Sequence, residues 1–321
     1  VGILIATIVG ASEKVSWRIS IGAASVPAAL MFVLMLRLPE SPRWLLKADQ
    51  VDRAREALER VRPQGVDVSD ELDDMGALVH AEGTAGTRGW RGLKEAWVRP
   101  ALIIGCGLAV FTQLSGIEMI VYYSPTILTD NGFSTSTALH VSVALGATYL
   151  VTQLIGLAII DRVGRRRLTL LTLPIAALAL VVLGTFFVTG NSGKDQVPYI
   201  ITTMVVFMAF TAGGIQLMGW LTGSEIYPLA TRSAGAAAQS ASLWGTNLLI
   251  TLTLLTIMDT IGTGQTFWLY AAFNIISFVF LYRRMPELTG RSLEQIEGRL
   301  HEGRFRPADF AGDDRKPSLT R

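Results

Sequence analysis

The sequence predicts an all-α membrane protein. Three observations carry that expectation. Half of the residues are apolar and the mean hydropathy is +0.42, above that of an ordinary soluble domain. The apolar residues gather into runs close to the roughly 20 needed to cross a bilayer. Lys and Arg flank these runs and fall in alternate loops. One run, Pro100 to Leu128, is interrupted by Thr112, Gln113, Ser115, Glu118, Tyr122 and Tyr123. On one continuous helix Ser115, Glu118 and Tyr122 would share a face. A carboxylate at membrane depth costs at least about 2.5 kcal/mol unless it is paired or wetted. Such a face points to a hydrated cavity and a polar ligand.

Taken in order, Val1 to about Gly10 reads as the end of a truncated span. It starts inside an apolar run and lacks the charged start of a signal peptide. Trp17 to Leu38 reads as a full span, with Trp17 and Arg18 at an interface. Pro27 is tolerable there because neighbouring helices compensate its missing donor. PESPRWLL, from Pro39, opens a soluble insert. Asp49 to Val61 and Asp67 to His80 read as amphipathic helices, Gly83 to Gly89 as a break, and Leu93 to Val98 as a short interfacial helix. After Pro100–Leu128, spans are expected near Ala138–Ile160, Leu168–Val188, Val197–Leu221, Ser233–Met258 and Thr266–Tyr282. The polar tail is expected to be disordered from about Ala308. The domains expected are 1–38 (end of a transmembrane half), 39–98 (helical linker), 99–284 (six-helix transmembrane half) and 285–321 (tail).

Charge and composition narrow the function. All of the 28 Lys and Arg except Lys14, Arg18 and Lys194 fall on one side of these spans. The positive-inside rule places that side, the insert and the C-terminus in the cytoplasm of a multi-pass cell-membrane protein. Nucleic acid is an unsuitable partner, since the cations flank membrane spans instead of lining one accessible face. Cys106 is the only cysteine, so there is no intrachain disulfide and no thiolate metal cluster. His80, His140 and His301 are scattered without ligand spacing. No metal, nucleotide or redox cofactor is indicated, and nothing suggests an enzyme.

Acid–arginine turns recur along the cytoplasmic side: Glu40 and Arg43 in PESPR, Asp161 with Arg162, Arg165 and Arg166 in DRVGRRR, Glu225 and Arg232 in SEIYPLATR, and Glu287 and Arg291 in PELTGR. Glu225 and Arg232 are close enough in sequence to pair around Pro228. One exposed pair contributes about 1 kcal/mol or less, but a network of them can bias a two-state rocking element.

In their order and spacing, PESPRWL, QLSG followed by YYSP, DRVGRR, GSEIYPLATR and PELTGRSLEQIE resemble the sugar porter family of the major facilitator superfamily. The resemblance covers almost the whole chain. It implies that superfamily's fold, twelve spans in two six-helix halves, of which this chain would hold the end of the fifth span, the sixth, the insert and the C-terminal half. The first four spans would be absent, leaving the chain alone with no second half to rock against. The resemblance implies a secondary transporter that binds a sugar or polyol near the midplane and rocks around it, by proton symport or by facilitated diffusion. The partners implied are that small molecule, protons in the symport case, and the lipid bilayer.

Carried over by that resemblance, the substrate-binding positions are Thr112, Gln113, Glu118, Tyr122, Tyr123, Tyr149, Trp220, Trp244 and Asn247. Several depart from the family pattern. Thr112 stands for a Gln and Glu118 for an Asn. Tyr149 stands where many relatives place an Asn, and Gln216 and Leu217 replace a Gly-Pro. Leu243 replaces the usual polar residue before Trp244. Amides pair with sugar hydroxyls, and a flat indole packs on the C–H face of a pyranose. Trp244 reads equally as core packing, and Tyr123 as an outer gate or an interface residue. Glu118 has three readings: a hydroxyl acceptor, a proton-coupling group, or a carboxylate neutralised by a neighbouring helix. Two rival functions are a transporter-like sugar receptor, which would carry a longer signalling tail, and an organic-acid transporter, which would place a cation in the cavity.

Overall fold

A computed structural model describes residues 2–10, 18–19, 22, 25–63, 67–84, 89–130, 132–190, 194–291 and 293–310. Regular structure among them is helical throughout. Residues 14–88 form one compact unit, and residues 1–13 with 89–321 form another.

In the first unit, α2 (Ser25–Met35) is apolar and has no buried residue. It is the described helix within the expected span Trp17–Leu38, and Trp17 lies outside the described residues. Three further helices, α3 (Pro42–Lys47), α4 (Val51–Val61) and α5 (Ser69–Thr84), build the insert. Ala54, Ala57 and Leu58 recur at helical spacing and bury one face of α4 against Leu45, Val68 and Leu72. Asp52 in the first turn of α4 and Arg60 in the last both complement the helix dipole. The Arg62 guanidinium forks onto Glu71 and holds that carboxyl below its usual range.

The second unit starts with α1 (Gly2–Gly10), whose Leu4 and Thr7 lie against Gly146. After the single turn α6 (Gly89–Gly92) come α7 (Arg99–Leu114), α8 (Ile117–Asp130), α9 (Thr135–Val163), α10 (Arg165–Val188), α11 (Val197–Ala212), α12 (Ile215–Glu225), α13 (Arg232–Ile261), α14 (Thr263–Arg284) and α15 (Leu293–His301). Turns occupy 93–98, where a short helix was expected. Among the described residues, six helical stretches are long and apolar enough to cross a membrane: α7 with α8, α9, α10, α11 with α12, α13, and α14. The chain is therefore an all-α multi-pass membrane protein.

Two apolar clusters hold this bundle together. One joins Ile120 and Ile127 of α8, Leu180 of α10, Phe207 of α11 and Phe267 of α14. The other joins Leu108 of α7, Leu173 of α10, Met218 of α12 and Leu281 of α14 with the tail residues Ile296, Phe305 and Phe310. The tail from Ala308 is thus not disordered as far as Phe310. A turn at Pro307–Phe310 buries that ring, with Arg291 and Arg299 stacked over it.

Helices α10 and α14 approach each other closely. A Cβ on Gly184 would stand 2.7 Å from the Gly264 carbonyl oxygen, and one on Gly264 would stand 2.7 Å from the Gly184 carbonyl oxygen. Small residues at such a contact allow the two backbones to approach. Gly184→Leu is expected to lower the thermal unfolding midpoint in detergent, with an overpacking cost of about 1–3 kcal/mol. An unchanged midpoint would mean that α10 and α14 can separate freely.

Candidate functional site

The site begins at a break in one span. Between α7 and α8, Gly116 has φ +92°, a conformation open to glycine at little cost. The break turns Ser115 inward, so it is buried and its hydroxyl donates to the Thr112 carbonyl at 2.7 Å. Ser115 therefore does not share a cavity face with Glu118 and Tyr122, because the helix is not continuous. The Ser115 carbonyl accepts a 2.8 Å hydrogen bond from the buried Asn274 Nδ2 of α14, which also donates to the Tyr270 carbonyl at 2.8 Å. Asn274 was not singled out from sequence. The available signal was an amide inside an apolar span, which is expensive unless it has a task.

Beyond the break, α8 presents Glu118 and, one turn later, Tyr122. The Tyr122 hydroxyl faces Glu118 and Asn247 of α13. Asn247 Nδ2 in turn donates to Gln113 Oε1 of α7 at 2.9 Å. Tyr149 of α9 faces Glu118 and Gln216, and its hydroxyl accepts from Gln153 Nε2 at 3.1 Å. Trp220 of α12 and Trp244 of α13 meet edge to face, with centroids 6.4 Å apart. They are 54% and 57% exposed, so neither is core packing in this unit. Gln113, Asn247, Tyr122, Glu118 and Tyr149 are thus linked in one polar chain across α7, α8, α9 and α13, while Trp220 and Trp244 form an exposed pair of indoles, Trp244 lying one turn from Asn247 on α13.

Two expected contacts lie elsewhere. Thr112 is fully buried and its hydroxyl donates to the Leu108 carbonyl at 2.7 Å. Its side chain fills the space beside Gly219, packing α7 on α12. Tyr123 packs on the apolar cluster around Ile120, with its hydroxyl 3.5 Å from the Thr251 carbonyl.

At one end of the bundle the charged turns interlock differently from the sequence expectation. Glu287 accepts from the backbone amides of Arg165, Arg166 and Arg167 at 2.8, 3.1 and 3.3 Å. A carboxylate suits the positive end of α10. Gly164 makes this possible, since its φ is +96° and a Cβ there would stand 2.5 Å from Glu287 Oε2. The Arg165 side chain bridges Glu225 at 3.0 Å and Asp161 at 2.6 Å. Asp161 is 76% exposed, so its share stays below about 1 kcal/mol, and the more shielded Glu225 is the stronger partner. Glu225 does not pair with Arg232, whose Nε donates to the Tyr227 carbonyl at 3.3 Å. The turn at Pro228 directs the Arg232 guanidinium back to its own loop. Arg166 reaches the Tyr282 carbonyl at 2.9 Å and lies over that ring, not against an acid. Arg162 and Glu40 are exposed and make no ion pair among the described residues. The side chain of Arg43 lies outside the described residues.

The model of the family described as sugar (and other) transporter matches residues 1–300. The chain belongs to that family. It is 32% identical over 310 residues to the major myo-inositol transporter IolT of Bacillus subtilis, covering 96% of this chain and 64% of that protein. It is also 32% identical over 303 residues to the D-xylose transporter of Levilactobacillus brevis, covering 93% and 65%. Among solved structures it superposes on the E. coli major facilitator superfamily proton:xylose symporter XylE with TM-score 0.72. There the identity is 23%, over 92% of this chain and 63% of that one, which shows the shared fold. The chain spans less than two thirds of the length of each.

The clamp on the helix break is testable by itself. Asn274→Leu leaves the Ser115 carbonyl without its side-chain donor, at an expected cost of about 1–3 kcal/mol. Amide exchange at Gly116 and Ile117 should accelerate relative to the rest of α8. Unchanged exchange there would show that Gly116 and Tyr270 hold the break without the amide.

Proposed function

We propose that this chain is the substrate-binding part of a secondary transporter that moves a sugar or polyol by alternating access, without covalent chemistry. One observation carries the reading. The bundle carries two exposed indoles, and Trp244 stands one turn along α13 from Asn247, which belongs to the linked groups Gln113, Asn247, Tyr122 and Glu118. A polyhydroxylated ring has the matching chemistry, with C–H faces for indole and hydroxyls that donate to a carboxylate and exchange hydrogen bonds with amides. The names of two relatives, a myo-inositol transporter and a D-xylose transporter, support the same ligand class. No cation faces Glu118 among its described partners, which disfavours an organic acid at this point.

The division into a transmembrane half ending near residue 38, a linker to residue 98, a six-helix half to residue 284 and a tail belongs to this proposal. So does a cytoplasmic C-terminus, which rests on the one-sided distribution of Lys and Arg. The cluster of Arg165 with Glu225 and Asp161, capped by Glu287, is proposed to form in one conformer and loosen in the other.

The test is uptake into sealed vesicles by the gene product as encoded, using labelled pentoses, hexoses and inositols, with and without an inward proton gradient. Gln113→Ala and Trp220→Ala are each expected to raise the half-saturation concentration by about tenfold, the worth of one or two lost contacts. Glu118→Gln is expected to reorder preference among the panel. Loss of gradient dependence alone would make Glu118 a proton-coupling group instead. If no sugar or polyol moves, the proposal fails.

A further inference from the structure

Two positions that depart from the family pattern, Tyr149 on α9 and Gln216 on α12, stand together. Backbone packing puts them there. A Cβ on Gly156 of α9 would stand 2.6 Å from Leu217 Cδ1 and 2.7 Å from the Gly213 carbonyl oxygen. A Cβ on Gly213 would stand 3.0 Å from the Thr152 carbonyl oxygen. The α9 backbone from Thr152 to Gly156 therefore lies hard against the junction of α11 and α12. Tyr149 is one turn before that contact on the same face of α9, and Gln216 is the neighbour of Leu217 within it.

Two amides meet the Tyr149 hydroxyl. Gln153 Nε2, one turn along α9, donates to it at 3.1 Å. Gln216 adjoins the same hydroxyl from α12. Its side chain is 4% exposed, and its Oε1 is buried with no partner. A tyrosine hydroxyl carries one hydrogen to donate. Neither amide takes it, since Gln153 presents its amino group and the Gln216 oxygen accepts from nothing. Tyr149 is thus left as a donor, and Glu118 of α8 is the carboxylate within electrostatic reach of it. No direct hydrogen bond joins these two side chains among the described residues. A hydroxyl accepts as well as donates, so it can bridge a phenol and a carboxylate.

We propose that Gln153 and Gln216 are positioning residues that hold Tyr149 as a hydrogen-bond donor, so that one substrate hydroxyl accepts from Tyr149 and donates to Glu118. The inference rests on the sugar or polyol reading of the site and narrows it to ligands with a hydroxyl at one ring position. An analogue lacking that hydroxyl leaves both protein groups unpaired, which is how a polar site rejects a close relative of its ligand.

The experiment follows uptake of labelled myo-inositol and D-xylose into vesicles holding the gene product as encoded. Monodeoxy analogues of whichever probe moves are the competitors. Wild type is expected to bind one of these analogues about tenfold more weakly than the parent. Tyr149→Phe should erase that preference. Gln153→Leu should reduce it and raise the half-saturation concentration by about fivefold. In the Tyr149→Phe background Gln153→Leu should add nothing, because the hydroxyl it orients is gone. Gln216→Met is expected to follow the same pattern. Gln153 is only partly buried, so Gln153→Leu keeps the test open if Gln216→Met fails to fold. Full additivity with Tyr149→Phe, or a transporting wild type without the preference, would overturn the positioning role. Gln153 and Gln216 would then be packing between α9 and α12. A wild type that moves neither probe would refute the proposed function as well.

Discussion

Backbone polar groups in a bilayer must find partners within the protein, and this bundle depends on how that is met where a helix stops. The span Arg99–Asp130 is broken at Ser115–Gly116. The break survives because Asn274 takes up the Ser115 carbonyl and the Tyr270 ring lies against Gly116. Without the break, Gln113 and Glu118 would follow one helical wheel. With it, Gln113 turns to Asn247 while Glu118 faces Tyr122 and Tyr149. Irregular backbone at membrane depth is tolerated where it is buried in protein or lines a cavity, and here Ser115 and Gly116 are buried in protein.

Rigidity and openness are divided between faces of the bundle. The α10–α14 seam is packed backbone to backbone at Gly184 and Gly264. The α12–α13 side carries exposed indoles and a cavity. A binding constellation works best when its supports are locked and its ligand face is free. The carboxylate of Glu287 and the side chain of Arg165 add a second lock at the bundle end, joining α9, α10 and α12 to the segment that follows α14.

Much of this was legible in the sequence. The expected span Leu168–Val188 became Arg165–Val188, because a continuous apolar run in a bilayer has few alternatives to helix. Gln113, Glu118, Tyr122, Tyr149 and Asn247 meet in one polar chain and Trp220 meets Trp244, because polar and aromatic residues inside apolar spans turn towards one another. What failed depended on long-range partners. The break at Gly116 is held by Asn274, 159 residues from Ser115, and nothing local in QLSGIE announces a positive φ. Glu225 stands seven positions before Arg232 yet pairs with Arg165, 60 residues away. Phe310 looked like tail because its burial depends on Arg291, Arg299 and Phe305 folding back over it.

The cap on α10 also bears on the order of assembly during synthesis. Glu287 lies 122 residues after Arg165, the first amide it covers. When α10 leaves the ribosome its cap does not yet exist, and three more spans must follow before it does. The amino end of α10 must wait in water or lipid headgroups, where its open N–H groups can be hydrated. This junction closes only when the chain beyond α14 folds back to the turn between α9 and α10. A truncation that removes residues after Arg284 would therefore leave an early helix unfinished, although its own sequence is intact.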